Sequence, residues 1–383
     1  MQILHVISRI RLEDGGVVRA VLDLATGAAD AGHRVAVATW DAADAPAAWA
    51  AHDSNPRIVP IEEPGRLGTL AQASRVTLDA EIRSADAVHL HTPWEPINRV
   101  IAKRCLALRT PYAVSIHGML DDWSMSQSSL KKRVYLRLGG RSMLERAAFV
   151  HCTAGAELTQ SRVWYPGGTG RVAPLVFDLS PYREPVGPEL AREAFGIDPD
   201  LPTVLFLSRM HIKKGVHVLV KAAAHLRDAG VECQTLIAGT GDSAYEAGIR
   251  AQIASLGLDD RVRLLGMVKG DTKVSLYRAA DVFALPTSQE NFGFVLPEAL
   301  ACETPAITTR GVDIWPELEA SGSTLIVEQS HEAFAEAIAG LLVDEDRRRE
   351  MGRKGRGWVL SYLEPSAVQA MYDDLYRDAT QKG

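Results

Sequence analysis

The sequence has 383 residues, 46% of them hydrophobic and 23% charged, which is typical of a folded globular protein and excludes a disordered chain. A formal net charge of −6 at pH 7 gives no reason to expect nucleic acid as a partner. Four scattered cysteines predict neither a disulfide framework nor a zinc site. With no signal-peptide pattern and no long apolar run, we expect a cytoplasmic protein of two domains.

Short β-branched segments alternate with helical patterns along the first half of the chain. The predicted strands are 3–7, 35–40, 57–61, 87–91, 112–116 and 149–152. Nearly continuous apolar strands that alternate with helices predict a parallel sheet covered on both faces. Ligands of such sheets bind at the carboxyl ends of the strands, so the residues that follow each strand are the candidates for function.

Two such positions stand out in the first half. Gly15 and Gly16 follow the first strand and allow close backbone approach to a phosphate or an acceptor, although a flexible loop entering a helix explains them equally. His117 ends the fifth strand, where a site role and a satisfied structural histidine are both open. No G-x-G-x-x-G fingerprint follows any strand, which argues against a nicotinamide dehydrogenase.

A basic amphipathic segment spans 128–147. It mixes six lysines and arginines with leucine, valine and methionine, and Gly139-Gly140 interrupts it. Such a helix can lie on an anionic membrane surface, or its charges can simply be solvated. We therefore keep peripheral membrane contact at the inner face of the membrane as a hypothesis.

Five prolines between 181 and 202 mark a domain boundary. The second half then repeats the alternating plan, with strands predicted at 203–207, 235–238, 262–265, 282–285, 305–308 and 324–327. The predicted organisation is a first domain over 1–182, a linker over 183–202 and a second domain over 203–360. A final helix in 361–383 is expected to pack back on the first domain.

The first strand of the second half ends in a cluster of cations. Arg209 and Lys214 precede a helix that begins after Gly215, a combination suited to a diphosphate, although a solvated basic loop is the simpler alternative. Gly239 and Gly241 follow the next strand and permit close backbone approach. The two D-x-D pairs, at 198–200 and 344–346, do not follow strands, so no metal site is predicted.

Two glutamates bracket a glycine-containing turn after the strand at 282–285. Glu290 lies in the loop and Glu298 follows a proline suited to the first turn of a helix, with seven residues between them. The pair first suggests general acid and base catalysis. The cations upstream change this interpretation, because they supply the phosphate chemistry and leave the carboxylates to bind hydroxyl groups.

Taken together, these motifs resemble those of the retaining glycosyltransferases of family 4, over nearly the whole chain. The resemblance rests on Glu290-Asn-Phe-Gly-Phe-Val-Leu-Pro-Glu298, Ser208-Arg209 with Lys214-Gly215, Gly239-x-Gly241, Gly15-Gly16 and His117-Gly118. It implies an α/β chain with the GT-B fold, in which two Rossmann-like domains with parallel sheets face a central cleft. The His117-Gly118-Met119-Leu120 form is similar to that of bacterial surface-polysaccharide glycosyltransferases.

The resemblance also implies a role for each candidate residue. Arg209 and Lys214 would hold the diphosphate of a UDP- or GDP-sugar, Glu290 the transferred sugar, and His117 would lie near its reacting end. The remaining donor-binding positions would be Glu298 at the ribose, Gly239, Gly241 and Val268 near the base, and Asn291, Phe292, Gly293 and Phe294 around the sugar. Gly15 and Gly16 would border phosphate and acceptor.

The reaction implied is front-face displacement with retention, onto a saccharide or lipid-linked acceptor, without metal or other cofactor. Two positions depart from the family pattern: Asp242-Ser243 follows Gly241, and Trp315 stands in a loop that commonly carries paired glycines. Alternatives remain. A sugar-nucleotide epimerase or hydrolase would use the same diphosphate site. A non-catalytic subunit would bind the nucleotide-sugar without converting it.

Overall fold

The computed structural model describes residues 1–381, which form two compact units. Unit 1 comprises Met1–Asp178 together with the segment that begins at Pro365, and unit 2 comprises Leu179–Glu364. Each unit contains one parallel sheet flanked by helices. The predicted pair of parallel α/β units is therefore confirmed. Among residues 1–381, no helix is both long and apolar enough to cross a bilayer.

The sheet of unit 1 has seven strands in the order β3-β2-β1-β4-β5-β6-β7. They are β1 (Gln2–Val6), β2 (Arg34–Thr39), β3 (Arg57–Pro60), β4 (Ala87–His91), β5 (Tyr112–Ser115), β6 (Phe149–Cys152) and β7 (Gly170–Val172). The helices are α1 (Gly16–Asp30), α2 (Gln72–Ser84), α3 (Pro96–Leu108), α4 (Asp122–Ser126), α5 (Ser129–Tyr135), α6 (Arg141–Glu145), α7 (Gly155–Ser161) and, from the chain end, α17 (Pro365–Gln381).

Alternation along the strands builds a core on each face of this sheet. On β1, Leu4 and Val6 pack with one cluster, whereas Ile3 packs with the other. The second cluster includes the apolar faces of α1 and α17, because residues such as Val21 and Tyr376 are fully buried there. Burial on both faces explains why the strands are almost uniformly apolar.

The C-terminal helix α17 reaches the sheet through a chain of buried hydrogen bonds. Tyr376 Oη lies 2.7 Å from His89 Nδ1, His89 Nε2 lies 2.7 Å from Ser115 Oγ, and Ser115 Oγ lies 2.7 Å from His151 Nδ1. His151 Nε2 lies 2.8 Å from the Ala173 carbonyl oxygen. These groups sit on neighbouring strands, His89 on β4, Ser115 on β5 and His151 on β6. Ser115 pairs in register with His151, whereas the register partner of His89 is Ala113.

The Ala173 carbonyl group determines the direction of each hydrogen bond between Tyr376 and His151. A carbonyl oxygen can only accept, so His151 Nε2 carries the hydrogen and its Nδ1 accepts from the Ser115 hydroxyl. Ser115 then accepts from His89 Nε2, and His89 Nδ1 accepts from the Tyr376 hydroxyl. Burial lowers the pKa of His151 to about 4 and that of His89 well below its usual value, so both imidazoles are neutral at pH 7.

Tyr376→Phe is expected to destabilise unit 1 by about 1–3 kcal/mol, because it leaves the buried Nδ1 of His89 without a donor. Tyr372→Phe is the matched control. The Tyr372 hydroxyl lies 3.0 Å from His151 Nε2, which keeps its bond to the Ala173 carbonyl group when that hydroxyl is removed. Urea unfolding should show the larger loss for Tyr376→Phe; equal losses would contradict the assigned bond directions.

The sheet of unit 2 has six strands in the order β10-β9-β8-β11-β12-β13. They are β8 (Thr203–Leu207), β9 (Gln234–Ala238), β10 (Val262–Gly266), β11 (Val282–Leu285), β12 (Ala306–Thr308) and β13 (Thr324–Ile326). The helices are α8 (Ser180–Arg183), α9 (Glu189–Phe195), α10 (Val216–Asp228), α11 (Ser243–Ser255), α12 (Gly270–Ala279), α13 (Val295–Ala301), α14 (Trp315–Ala320), α15 (His331–Val343) and α16 (Glu345–Tyr362).

Two segments differ from the expectations. The linker expected over 183–202 belongs to unit 2 and carries α9, whose Ala191 is fully buried and donates its N–H to Ser275 Oγ at 2.9 Å. The five prolines indicated a domain boundary in this region, but they gave no indication of α9. The segment 128–147 is not one helix, because Leu138 and Gly139 leave helical geometry between α5 and α6.

Candidate functional site

In unit 2 the strand order reverses between β8 and β11, which are hydrogen-bonded neighbours. The connection from β8 runs to β9 on one side, and the connection from β11 runs to β12 on the other. Loops at such a switch point separate and leave a crevice at the carboxyl ends of the strands. The residues that follow β8 and β11 include Arg209, Lys214 and Glu290, all of which the sequence selected.

The loop after β8 is anchored to the end of β11. Gly215 has φ +70°, and a Cβ atom at this position would lie 1.9 Å from the Pro286 carbonyl oxygen. Only glycine fits both the backbone angle and the space. Ser288 N donates to the Lys213 carbonyl oxygen at 2.7 Å. These contacts fix the position from which Lys214 projects.

Lys214 and Glu290 form an ion pair, with side chains 11% and 23% exposed. Burial, followed by repulsion from Arg209 and Lys213, lowers the pKa of Lys214 to about 8, whereas the Glu290 carboxylate favours the ammonium form. The two groups assigned to the diphosphate and to the transferred sugar therefore lie in direct contact. A bound anion would compete with Glu290 for the ammonium group.

The backbone of Glu290 is held by the loop that follows β12. Glu290 N donates to the Gly311 carbonyl oxygen at 2.8 Å, and Asp313 N donates to the Glu290 carbonyl oxygen at 3.0 Å. Gly293, with φ +65°, passes so close that an added Cβ atom would lie 2.9 Å from Glu290 Cγ. The carboxylate thus projects from a rigid turn rather than from a free loop.

A cleft of about 370 Å³ is lined in part by the loop after β8, the same loop that carries Lys214. Four of the predicted residues line it, namely Arg209, Gly239, Val268 and Glu298. Arg209 is exposed and makes no hydrogen bond or ion pair with any residue in 1–381, so its guanidinium group is available to a ligand. The other lining residues are Leu207, Ser208, Thr240, Met267, Lys273 and Val295.

Glu298 is positioned by two residues that the sequence analysis missed. Lys273 Nζ donates to one carboxylate oxygen at 2.7 Å, and the buried Tyr277 hydroxyl donates to the other at 2.8 Å. Burial raises the pKa of Tyr277 well above its usual value, so the phenol remains a donor. Both residues lie on α12 four positions apart, a spacing that places them on one helical face.

The glycines after β9 have different roles. A Cβ atom at Gly239, where φ is +131°, would lie 1.9 Å from the Ser208 carbonyl oxygen. Gly239 therefore lets the β9 loop touch the β8 loop at the edge of the cleft. Gly241 does not line the cleft. An added Cβ atom would lie 1.9 Å from the Met210 carbonyl oxygen, so glycine is needed at this position for close packing of the two loops.

The turn between the two glutamates contains the other predicted positions. Asn291 Nδ2 donates to Asp313 Oδ2 at 3.1 Å. Phe292 is 2% exposed and its ring centroid lies 5.2 Å from that of Phe294, so its side chain belongs to the core. Any contact of Phe292 with a sugar would have to come from its backbone.

In unit 1, His117 follows β5 and is half-buried, with φ +49°. This left-handed conformation is uncommon for a side chain other than glycine and recurs at functional sites. The next residue, Gly118, donates its N–H to the buried Glu157 carboxylate, which also accepts from Thr153 N at 2.5 Å. His117 Nε2 lies 3.3 Å from His91 Nδ1.

Gly15 and Gly16 lie at the start of α1 and are exposed. Gly15 has φ +99°, and an added Cβ atom at either position would meet no atom within 4 Å. The backbone angle explains glycine at position 15, and the open space at both positions is compatible with close approach of a ligand.

The first aspartate of each D-x-D pair accepts a local backbone hydrogen bond. Asp198 Oδ1 accepts from Asp200 N at 2.9 Å, and Asp344 Oδ1 caps α16 by accepting from Arg347 N at 3.0 Å. Two other groups within residues 1–381 have donor atoms close enough to hold a metal ion. They are His5, His89 and His91, buried in unit 1, and His225, His331 and Glu332 on unit 2.

Two family models match the chain, one over each half. The model described as "Glycosyl transferase 4-like domain" matches residues 15–175, and the model described as "Glycosyl transferases group 1" matches residues 189–358. The second match contains Arg209, Lys214, Glu290 and Glu298. The chain belongs to the group 1 glycosyltransferases.

Curated relatives of this family member include two D-inositol 3-phosphate glycosyltransferases. That of Corynebacterium glutamicum is 34% identical over 197 residues, covering 50% of this chain and 47% of the relative. That of Nocardia farcinica is 31% identical over 255 residues, covering 64% and 56%. The chain thus spans about half the length of the curated relatives it matches.

Solved structures show the same fold. The sucrose-phosphate synthase of Thermosynechococcus elongatus matches with a TM-score of 0.76 and 24% identity, covering all of both chains. Anabaena HepE, solved in complex with UDP-glucose, matches with a TM-score of 0.74 and 22% identity, covering 98% of this chain and 99% of its own. The predicted GT-B class, with two Rossmann-like domains, is confirmed.

Proposed function

We propose that the protein transfers a sugar from a nucleotide-diphosphate-sugar to a hydroxyl group of a saccharide or lipid-linked saccharide. The observation that carries this proposal is the arrangement at the β8–β11 switch point of unit 2. There Arg209, which has no side-chain partner among residues 1–381, and Glu298 line one cleft. The loop that carries Arg209 also carries Lys214, which is paired with the partly exposed Glu290. Family membership and the UDP-glucose complex of HepE support a nucleotide-sugar as the donor.

Arg209 and Lys214 are proposed to bind the diphosphate. Arg209 offers a planar fork of donors that matches phosphate oxygens, and Lys214 offers a point charge from a rigid loop. When the bond between the sugar and the diphosphate breaks, negative charge grows on the leaving phosphate. Cations fixed before the reaction stabilise that charge without reorganising, which is the form of catalysis that contributes most.

Glu290 and Glu298 are proposed to bind hydroxyl groups at opposite ends of the donor. Glu290, held beside Lys214, would accept hydrogen bonds from the transferred sugar. Glu298 has one oxygen bound to Lys273 and the other to Tyr277, and the remaining lone pairs can accept from the ribose. Gly239 and Val268 border the same cleft and would approach the base.

We propose that the reaction retains the configuration of the sugar. The acceptor oxygen would bond to the anomeric carbon on the face that the phosphate leaves, and the acceptor proton would pass to the departing phosphate oxygen. In this scheme the cations take the role that a metal ion often has, so no metal is required. Activity that is unchanged by EDTA, together with a product of the donor's anomeric configuration by NMR, is the expected result.

The acceptor side is proposed to lie at the inner face of a membrane. Leu130, Val134 and Leu138 are 76%, 45% and 65% exposed, and basic residues surround them on the segment 128–147. Exposed apolar side chains among cations suit an anionic lipid surface. Sedimentation with anionic vesicles should capture the protein, neutral vesicles should not, and the triple substitution of these three residues by serine should abolish binding. Equal sedimentation with both lipids would contradict the proposal.

The experiment that tests the function has two stages. A thermal-shift screen against UDP-, GDP- and ADP-sugars identifies the donor, because a ligand of the native state raises the melting temperature. The protein is then incubated with the selected donor and with saccharides, lipid-linked saccharides or D-inositol 3-phosphate, and the products are identified. Transferred sugar is expected. Free sugar alone would indicate a hydrolase, an altered nucleotide-sugar an epimerase, and binding without turnover a sensing subunit.

A further inference from the structure

Three histidines of unit 1 are joined end to end. His5 Nδ1 lies 3.0 Å from His91 Nε2, and His91 Nδ1 lies 3.3 Å from His117 Nε2. The rings of His5 and His91 stack at 5.3 Å between centroids, and those of His91 and His117 at 5.6 Å. His5 and His91 are fully buried, on the adjacent strands β1 and β4, whereas His117 is half-buried.

These imidazoles are neutral in the folded protein. Burial lowers the pKa of His5 to about 4 and that of His117 to about 3, and it lowers that of His91 well below its usual value. Each ring therefore carries one hydrogen on one nitrogen. Metal coordination does not suit the set, because the rings stack instead of converging and both nitrogens of His89 already bond to Tyr376 and Ser115.

Only two arrangements of hydrogens satisfy both contacts in the chain. Either every bond points from His5 to His117, or every bond points from His117 to His5. The choice is decided at His5 Nε2, a buried atom with no hydrogen-bond partner within the described residues 1–381. In the first arrangement this atom is a bare lone pair; in the second it is an N–H group with nothing to bind. Buried orphan N–H groups are the rarer and less tolerated of the two.

We propose that His5 and His91 are positioning residues that hold His117 as the tautomer with its hydrogen on Nδ1. His117 Nε2 accepts from His91 Nδ1–H, so His117 presents Nδ1–H outward. Nδ1 has no hydrogen-bond partner among residues 1–381, and the contact and stacking with His91 hold the ring in this orientation. This N–H is then available as a hydrogen-bond donor to a substrate oxygen atom, which rests on the proposed function.

The tautomer can be read directly by ¹⁵N NMR of histidine-labelled protein without substrate, with His117 assigned by substitution. Protonated and bare ring nitrogens differ widely in chemical shift, and the expected spectrum has His117 protonated at Nδ1. His117 protonated at Nε2 would overturn the proposal. Because no substrate is present, this result is independent of whether sugar transfer is ever found.

Two variants test whether His91 is the cause. His91→Phe keeps a stacked ring but removes the donor, so His117 should lose its Nδ1–H preference and kcat should fall. His91→Asn places an amide N–H near the position of Nδ1 and should restore both. A wild-type tautomer in His91→Phe would overturn the role of His91. If the tautomer changes as expected but neither the wild-type protein nor any variant transfers a sugar, only the proposed function is contradicted.

Discussion

Lys214→Ala is expected to lower kcat/KM by about 10³-fold, equivalent to about 4 kcal/mol of transition-state stabilisation. The reason is that the ammonium group projects from a loop anchored by Gly215 and lies where the charge of the leaving phosphate would grow. Stability should change little, because the Glu290 side chain is 23% exposed and water can solvate its carboxylate once the lysine is gone. Steady-state kinetics and thermal unfolding of the same preparation check both statements.

Lys213→Ala is the matched control for this substitution. It removes the same charge from the adjacent position of the same loop, where the side chain donates to Gln289 Oε1 at 3.2 Å. We expect kcat/KM to fall only a few-fold, because the electrostatic effect of a charge that does not contact the phosphate is mostly screened by solvent. Equal losses for the two variants would show that net charge matters and that the position of Lys214 does not.

Glu290→Gln and Glu298→Gln are expected to differ in which kinetic constant changes. Glu290→Gln should lower kcat by about 10²-fold, because it removes a charge-assisted contact to the reacting sugar and the partner of Lys214. Glu298→Gln should raise KM about tenfold and leave kcat near the wild-type value, since ribose contacts are the same in the ground and transition states.

The two glutamine substitutions control each other, because each replaces one ion-paired carboxylate with an isosteric amide. A rise in KM alone for Glu290→Gln, or a fall in kcat alone for Glu298→Gln, would reverse the assignment of the sugar and ribose ends. Nucleoside diphosphate affinity gives an independent check. It should fall for Glu298→Gln and remain for Glu290→Gln.

Much of the fold follows from local patterns. The twelve strands expected from β-branched runs between turn residues all correspond to strands in the structure, because burial on both faces of a parallel sheet requires such runs. β7 (Gly170–Val172) was missed, since three residues at a sheet edge leave almost no periodic signal. The break at Leu138 and Gly139 was marked by a glycine pair, but its geometry depends on packing.

The candidate site was partly predictable for a similar reason. Strand ends are recognisable in the sequence, and the switch-point rule selects them, which is how Arg209, Lys214 and Glu290 were found. Their pairing could not be predicted, because contact between Lys214 and Glu290 depends on how the β8 and β11 loops pack. Lys273 and Tyr277 were missed, although their four-residue spacing on α12 was a usable signal.

The histidines of unit 1 are visible in the sequence as polar residues within apolar strands, but the sequence does not explain them. His5 pairs in register with His89 on β1 and β4, and His91, Ser115 and His151 pair in register on β4, β5 and β6. Polar side chains therefore recur within otherwise apolar strands. Their hydrogen-bond directions become clear only when Tyr376 from α17 and the Ala173 carbonyl group are placed beside them.

The central claim is that Arg209 and Lys214 recognise a diphosphate, and calorimetric titration tests it most directly. Wild-type protein should bind the nucleoside diphosphate of its donor at least about 100-fold more tightly than the nucleoside, equivalent to about 2.7 kcal/mol. The double variant Arg209→Ala/Lys214→Ala should lose most of that preference and bind the nucleoside as wild type does. A preference that persists in the double variant would contradict the claim.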